Sequence, residues 1–188
     1  MTEVIRAAVE LQTFCDQQKW KFCCIGGLAL QRWGEPRETV DVDLTLLTGF
    51  GSEESFVEIL LAKFEARIEK AAEFALTRRV LLLRTAVGVG LDIALGGLPF
   101  EERAVARASD YIYPGEARVR TCSAEDLVIM KAFAARAKDW LDVEGIILRQ
   151  SGQLDWDYIQ SQLEPLAELK GAPEIVDELQ KRRSEAED

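Results

Sequence analysis

The sequence predicts an α+β protein: a small mixed β-sheet flanked by helices, followed by a C-terminal helical region. Three observations carry the prediction. Stretches of period-two alternation fall only before residue 121. Helix-like and strand-like stretches interleave there, as they do when helices are laid on a sheet. From Ser123 onward the apolar spacing is helical throughout. The expected organisation is therefore a first domain over residues 1–120 and a helical region over 121–188 packed on it.

The elements follow in order. Val4, Ala8, Leu11 and Cys15 recur at helical spacing and open the chain with an amphipathic helix. Lys21 to Ile25 is a short apolar run ending at Gly26-Gly27 and reads as a strand. Leu28 to Trp33 reads as a short helix stopped by Gly34 and Pro36. Thr39 to Leu47 alternates: Val40, Val42, Leu44 and Leu46 on one face, Thr39, Asp41, Asp43 and Thr45 on the other. Val57, Leu60, Leu61 and Phe64 mark a helix capped near Ser52. Val80 to Arg84 and Val89 to Leu95 form a hairpin turning near Gly88, with Asp92 on its polar face. A short helix follows Pro99, and a strand lies near Tyr111 to Tyr113. Ser123 and Asp126 begin a helix lined by Leu127, Met130 and Ala134. Trp140, Val143 and Ile147 line the next, and Trp156, Ile159, Leu163 and Leu166 a third. The charged tail after Pro173 is expected to fray.

Composition excludes whole classes of chemistry. The 188 residues include no histidine, so Ser-His-Asp and Cys-His nucleophile pairs, a histidine base and His-containing zinc fingers are ruled out. Acid–base and metal chemistry must rest on carboxylates, Lys, Tyr or Cys. Cys15, Cys23, Cys24 and Cys122 form no CxxC pair and read as buried thiols. No long apolar run and no signal-peptide pattern are present, so a soluble, cytoplasmic protein without a membrane partner is expected.

Three features together point to a reaction. Gly26-Gly27 sits between a strand and a helix, where backbone N–H groups and the helix N-terminus favour a phosphate. Asp41 and Asp43 lie two apart on one strand and so point the same way, roughly 6.5 Å apart along the chain. Like charges at that distance call for a cation between them. Mg²⁺ (or Mn²⁺) suits such a set, because it takes carboxylate oxygens and completes its shell with water and substrate phosphates. Asp92 supplies a third carboxylate from another strand. A phosphate cradle beside a metal–carboxylate face is what nucleotidyl transfer from a nucleoside triphosphate requires. One carboxylate can take the proton of the attacking hydroxyl.

The residues Ile25-Gly26-Gly27-Leu28-Ala29-Leu30, Arg37-x-Thr39-x-Asp41-Val42-Asp43-Leu44 and Leu91-Asp92-Ile93 resemble the nucleotidyltransferase superfamily that shares the DNA polymerase β-type palm. The run Glu125-Asp126-Leu127 to Lys131, with Arg136-Ala137-Lys138-Asp139 and Asp142, resembles its AbiEii-like branch, which includes toxins of type IV toxin–antitoxin systems. The resemblance covers about residues 20 to 150. It implies a nucleotidyltransferase palm over 1–120 and assigns Asp41, Asp43 and Asp92 to catalysis and to Mg²⁺. Gly26, Gly27, Arg37, Lys131 and Asp139 would bind the nucleotide, with Lys131 reaching the triphosphate and Asp139 orienting part of that site. It further implies an NTP substrate and an antitoxin partner. DNA is not an expected partner.

The acceptor stays open between a tRNA end, a protein hydroxyl and a small molecule. Residues 155–188 carry ten acids and four bases, net −6, and residues 1–154 carry 23 acids and 19 bases, net −4, which together make −10. An RNA acceptor needs a local basic patch. Arg78, Arg79 and Arg84, or Arg118 and Arg120, are candidates for it. The alternatives to an enzyme are a non-catalytic palm-fold module that binds a nucleotide or partner protein, and a purely structural partner of a neighbouring gene product.

Overall fold

The computed structural model describes residues 2–187, so Met1 and Asp188 lie outside the described residues. In chain order the elements are α1 (Glu3–Gln17), β1 (Phe22–Cys24), α2 (Gly26–Trp33), β2 (Asp41–Leu47), α3 (Glu53–Lys63), β3 (Glu65–Ala66), α4 (Ala71–Arg78), β4 (Val80–Arg84), β5 (Gly90–Gly96), α5 (Pro99–Arg107), β6 (Ser109–Tyr113), β7 (Ala117–Thr121), α6 (Ala124–Ala134), α7 (Ala137–Gln150), α8 (Trp156–Lys170) and α9 (Glu174–Glu187). They divide into two compact units: residues 1–28 with 38–122, and residues 29–37 with 123–188. The first part of α2 belongs to one unit and the rest of it to the other. None of the described helices is long and apolar enough to cross a membrane.

The first unit holds a mixed sheet in the order β3-β4-β5-β2-β1-β7-β6. β2 runs parallel to β5 and β1 parallel to β7, while the remaining pairs are antiparallel. Val42, Leu44 and Leu46 of β2 and Leu91, Ile93 and Leu95 of β5 are fully or almost fully buried. They enter one core with Ile5, Ala8 and Leu11 of α1 and Val57 and Leu60 of α3. Strand alternation therefore sends Asp41, Asp43 and Asp92 to the opposite face. The carboxylate face is not wholly solvated, since Thr45 on the same side is buried.

Several sequence expectations need correction. β2 begins at Asp41, and Val40 is 66% exposed rather than part of the core face, because it lies in the extended connection after Pro36. α2 begins at Gly26, two residues earlier than expected. Ser52 stands at the start of α3 but its side chain makes no capping bond. β3, α4 and β7 went unpredicted. In the second unit Ala134 is exposed; α6 buries Leu127, Val128, Ile129 and Ala132 instead. The tail forms α9, which buries Ile175 and Leu179, four residues apart on one helix face. All four cysteines are buried, and burial pushes the Cys15 and Cys24 thiols up to about 12, so neither is a reactive thiolate.

Candidate active site

The parallel register of β2 and β5 creates the site. Asp43 stands directly across from Asp92, and Asp41 directly across from Gly90. Three carboxylates from two neighbouring strands thus share one face. The chain's glycines are what allow them to fit. A Cβ on Gly26 would lie 2.0 Å from Asp43 Oδ2, and one on Gly90 would lie 2.1 Å from Asp41 Oδ1. A Cβ on Gly27 would meet Thr39 Oγ1 at 2.4 Å. Gly26 also has φ +59°, a conformation that side chains other than glycine's adopt at a cost. The turn is tied to the strand: the Ile25 N–H donates to the Asp43 carbonyl at 2.9 Å. Asp43 therefore lies against the first turn of α2, where the helix end favours a negative group. The Gly-Gly pair thus seats the Asp43 and Thr39 side chains.

An arginine that sequence reasoning missed completes this group. Arg67, just after β3, donates from Nη2 to Asp92 Oδ1 and brings Nη1 to 3.6 Å from Asp41 Oδ1. Burial raises the Asp92 pKa above its ordinary value, with Asp43 and Asp41 adding to the rise and Arg67 opposing it. Among the described residues no three carboxylate or thiol side chains are arranged to chelate an ion as they stand. The donor set nevertheless suits a hard divalent cation. It offers carboxylate oxygens only, from two adjacent strands, with glycines in place of side chains around them.

Gly26→Ala is expected to displace the Asp43 carboxylate, since the added Cβ overlaps it. Activity should fall at least about a hundredfold from the misplaced group. Turnover compared at matched far-UV circular dichroism checks this, and a fully active variant would contradict the seating role.

The second unit gathers the other predicted residues. Lys131 Nζ lies 3.2 Å from Asp139 Oδ1 and 2.7 Å from Asp142 Oδ2. Arg37 clasps Asp142 with two bonds, Nε to Oδ1 and Nη2 to Oδ2, each 3.1 Å. Arg136 also clasps Asp139 with two bonds, Nε to Oδ2 at 2.5 Å and Nη2 to Oδ1 at 3.1 Å. Burial works against both carboxylates, but the arginine and lysine hydrogen bonds outweigh it and hold Asp139 and Asp142 below the ordinary aspartate range. The eight predicted site residues thus fall into two sets. Asp41, Asp43, Asp92, Gly26 and Gly27 belong to the first unit, and Arg37, Lys131 and Asp139 to a charge network in the second. Asp142 is the member of that network whose two charge partners the sequence did not reveal.

Known proteins bear on this geometry. A crystal structure of an antigenic nucleotidyltransferase-like protein from Paracoccidioides brasiliensis superimposes with a TM-score of 0.54 at 18% identity, covering 95% of this chain and 92% of that one. The lincosamide antibiotic adenylyltransferase LnuA, solved with lincomycin bound, gives a TM-score of 0.51 at 12% identity over 78% of this chain and 96% of that one. At these identities the likeness establishes the fold. No curated protein sequence matches the chain. The family described as nucleotidyl transferase AbiEii toxin, type IV toxin–antitoxin system, matches residues 17–164, a span that includes β1, the β2 and β5 aspartates and the Lys131 network. The chain belongs to that AbiEii nucleotidyltransferase family.

Proposed function

We propose that the protein transfers a nucleoside monophosphate from an NTP to an acceptor hydroxyl, with pyrophosphate as the leaving group, in a divalent-metal-dependent reaction. The observation that supports this most is the β2–β5 register, which sets Asp43 across from Asp92 with Asp41 on the same face. Asp41, Asp43 and Asp92 would hold a Mg²⁺ or Mn²⁺ ion, which would neutralise triphosphate charge and polarise the α-phosphoryl group. The first turn of α2, entered through Gly26 and Gly27, offers backbone N–H groups to the phosphates. One carboxylate of the set would take the proton that the acceptor hydroxyl loses as its oxygen bonds to the α-phosphorus. Arg37, Lys131 and Asp139 are proposed to serve the nucleotide. Two of the three Lys131 N–H donors are committed to Asp139 and Asp142, which leaves one for a phosphate.

Family membership carries the proposal of a toxin function with an antitoxin partner, and a cytoplasmic setting accords with it. The acceptor reading turns on the arginines. Arg79 pairs with Glu53, Arg84 with Glu65, Arg118 with Asp110, and Arg120 with Asp16 and Asp110. Four of the five candidate arginines are so paired, which leaves the patch little charge to offer an RNA backbone. This favours a small-molecule or protein hydroxyl, in keeping with the antibiotic acceptor of the LnuA neighbour.

A second reading has one observation behind it. Arg67 bridges two of the three carboxylates, as it would in a module that binds a partner or nucleotide without turnover. Incubation with each α-labelled NTP and Mg²⁺, across tRNA, protein and hydroxylated small-molecule acceptors, separates the two. Label transfer with pyrophosphate release is expected. A thermal shift with NTP and Mg²⁺ but no turnover on any acceptor would establish the module instead.

A further inference from the structure

Arg67 brings a cation to the carboxylate site. Its fork spans two strands: one arm meets Asp92 Oδ1 on β5 and the other faces Asp41 Oδ1 on β2. Its backbone is anchored, the Arg67 N–H donating to the Leu82 carbonyl at 3.0 Å. Room for the pair is built into the strand that faces it. A Cβ at Gly90 would lie 2.1 Å from Asp41 Oδ1 and 2.6 Å from Arg67 Nη1, so the missing side chain makes space for both partners at once. The Arg67 side chain is only 28% exposed, less than either aspartate side chain it serves. A guanidinium that pairs with two carboxylates from adjacent strands offsets part of the charge that a divalent ion there would neutralise.

We propose that Arg67 is a built-in counter-cation: it bridges Asp41 and Asp92 in the metal-free protein and must release both for a divalent ion to enter. The proposal rests on the nucleotidyl-transfer reading of the same carboxylates. The two cations would compete for the same two carboxylates, and an ion held there would meet the guanidinium's positive charge at close range. The side chain gives way because it is long and flexible, and its anchored backbone keeps the released charge beside the site. Metal affinity is then lowered by the fraction of molecules in which the fork is closed.

Mn²⁺ binding to the nucleotide-free protein, by calorimetry, tests the proposal. Arg67→Ala is expected to bind Mn²⁺ about three- to tenfold tighter than the wild type. Arg84→Ala removes a cation on the neighbouring strand whose partner is Glu65, and should leave the affinity within about twofold because that exposed charge is screened. In the wild type, Mg²⁺ should shift the Arg67 guanidinium N–H resonance, identified by its loss in Arg67→Lys. Equal affinities for wild type and Arg67→Ala, equal tightening in both alanine variants, or an unmoved resonance at saturating Mg²⁺ would each overturn the counter-cation role. Those three results leave the carboxylate metal site standing. Absence of any Mn²⁺ binding in wild type and Arg67→Ala alike removes the metal-dependent function and the counter-cation with it.

Discussion

Asp43→Asn is expected to lower nucleotidyl transfer by about a thousandfold or more, corresponding to roughly 4 kcal/mol of lost transition-state stabilisation. Asn has the shape of Asp, so the close fit against Gly26, where a Cβ would come within 2.0 Å of Oδ2, is kept. The bond from the Ile25 N–H to the residue-43 carbonyl uses the backbone and is also kept. What changes is one charge in a group of three, at the position directly across from Asp92. A neutral amide is a poor ligand for a hard divalent ion, so the ion that would balance the charge on the transferring phosphoryl group would be held less well. Label transfer under saturating NTP and Mg²⁺, compared at matched thermal stability, measures the effect. A variant that keeps more than about a tenth of the wild-type rate would exclude Asp43 from metal-assisted chemistry of this kind.

Which parts of this site were legible depended on whether the information was local. The alternation of Asp41-Val42-Asp43-Leu44 assigns a face to each residue without any knowledge of the neighbours, and the buried Val42 and Leu44 bear it out. The β4–β5 hairpin was equally local, its strands joined by a short turn at Gly88. The pairing of β2 with β5 was not local. Forty-odd residues separate these parallel strands, and nothing in either fixes that Asp43 falls opposite Asp92 rather than a pleat away. β7 alternates, burying Ala117, Val119 and Thr121 and turning Arg118 and Arg120 outward. One small residue, one valine and one threonine made too weak a stripe to read. α9 was hidden the same way, by a polar sequence in which two apolar residues do the anchoring.

Arg67 illustrates a different limit. A carboxylate cluster demands positive charge, but the demand does not say whether an ion or a side chain meets it, nor which of the chain's arginines is placed to do so. The answer lies in the two-residue strand β3, whose pairing with β4 carries the following residue to the site's edge. Gly90 held a clue that becomes readable only in three dimensions. It is the strand position opposite Asp41, and its lack of a side chain is a fact about Asp41 and Arg67 rather than about β5.

Lys131→Met is expected to destabilise the protein by about 3 kcal/mol, lowering the melting temperature by about 6–12 °C. The lysine is buried and its ammonium serves two buried carboxylates, Asp139 and Asp142. Methionine fills similar space but leaves those charges with one arginine each, Arg136 and Arg37, both partly solvent-exposed. These remaining pairs keep the cost at the low end of the range for breaking a buried ion pair. The pH dependence follows from the lowered pKa values of the two aspartates. A carboxylate held below its unfolded value of about 3.9 contributes its full stability above that pH and loses it as pH falls through the folded value. In the variant the same carboxylates lose a charge partner and take up protons at higher pH. The gap between wild type and Lys131→Met should therefore be widest near neutrality and close as the pH falls toward and below about 4. Adding Asp142→Asn to Lys131→Met should recover part of the loss, because it removes a buried charge that no longer has its lysine. Melting curves of the three proteins from neutral to acid pH decide it. A gap of less than about 2 °C at neutral pH, or one that does not narrow in acid, would show that the network is not what holds the α6–α7 pair together.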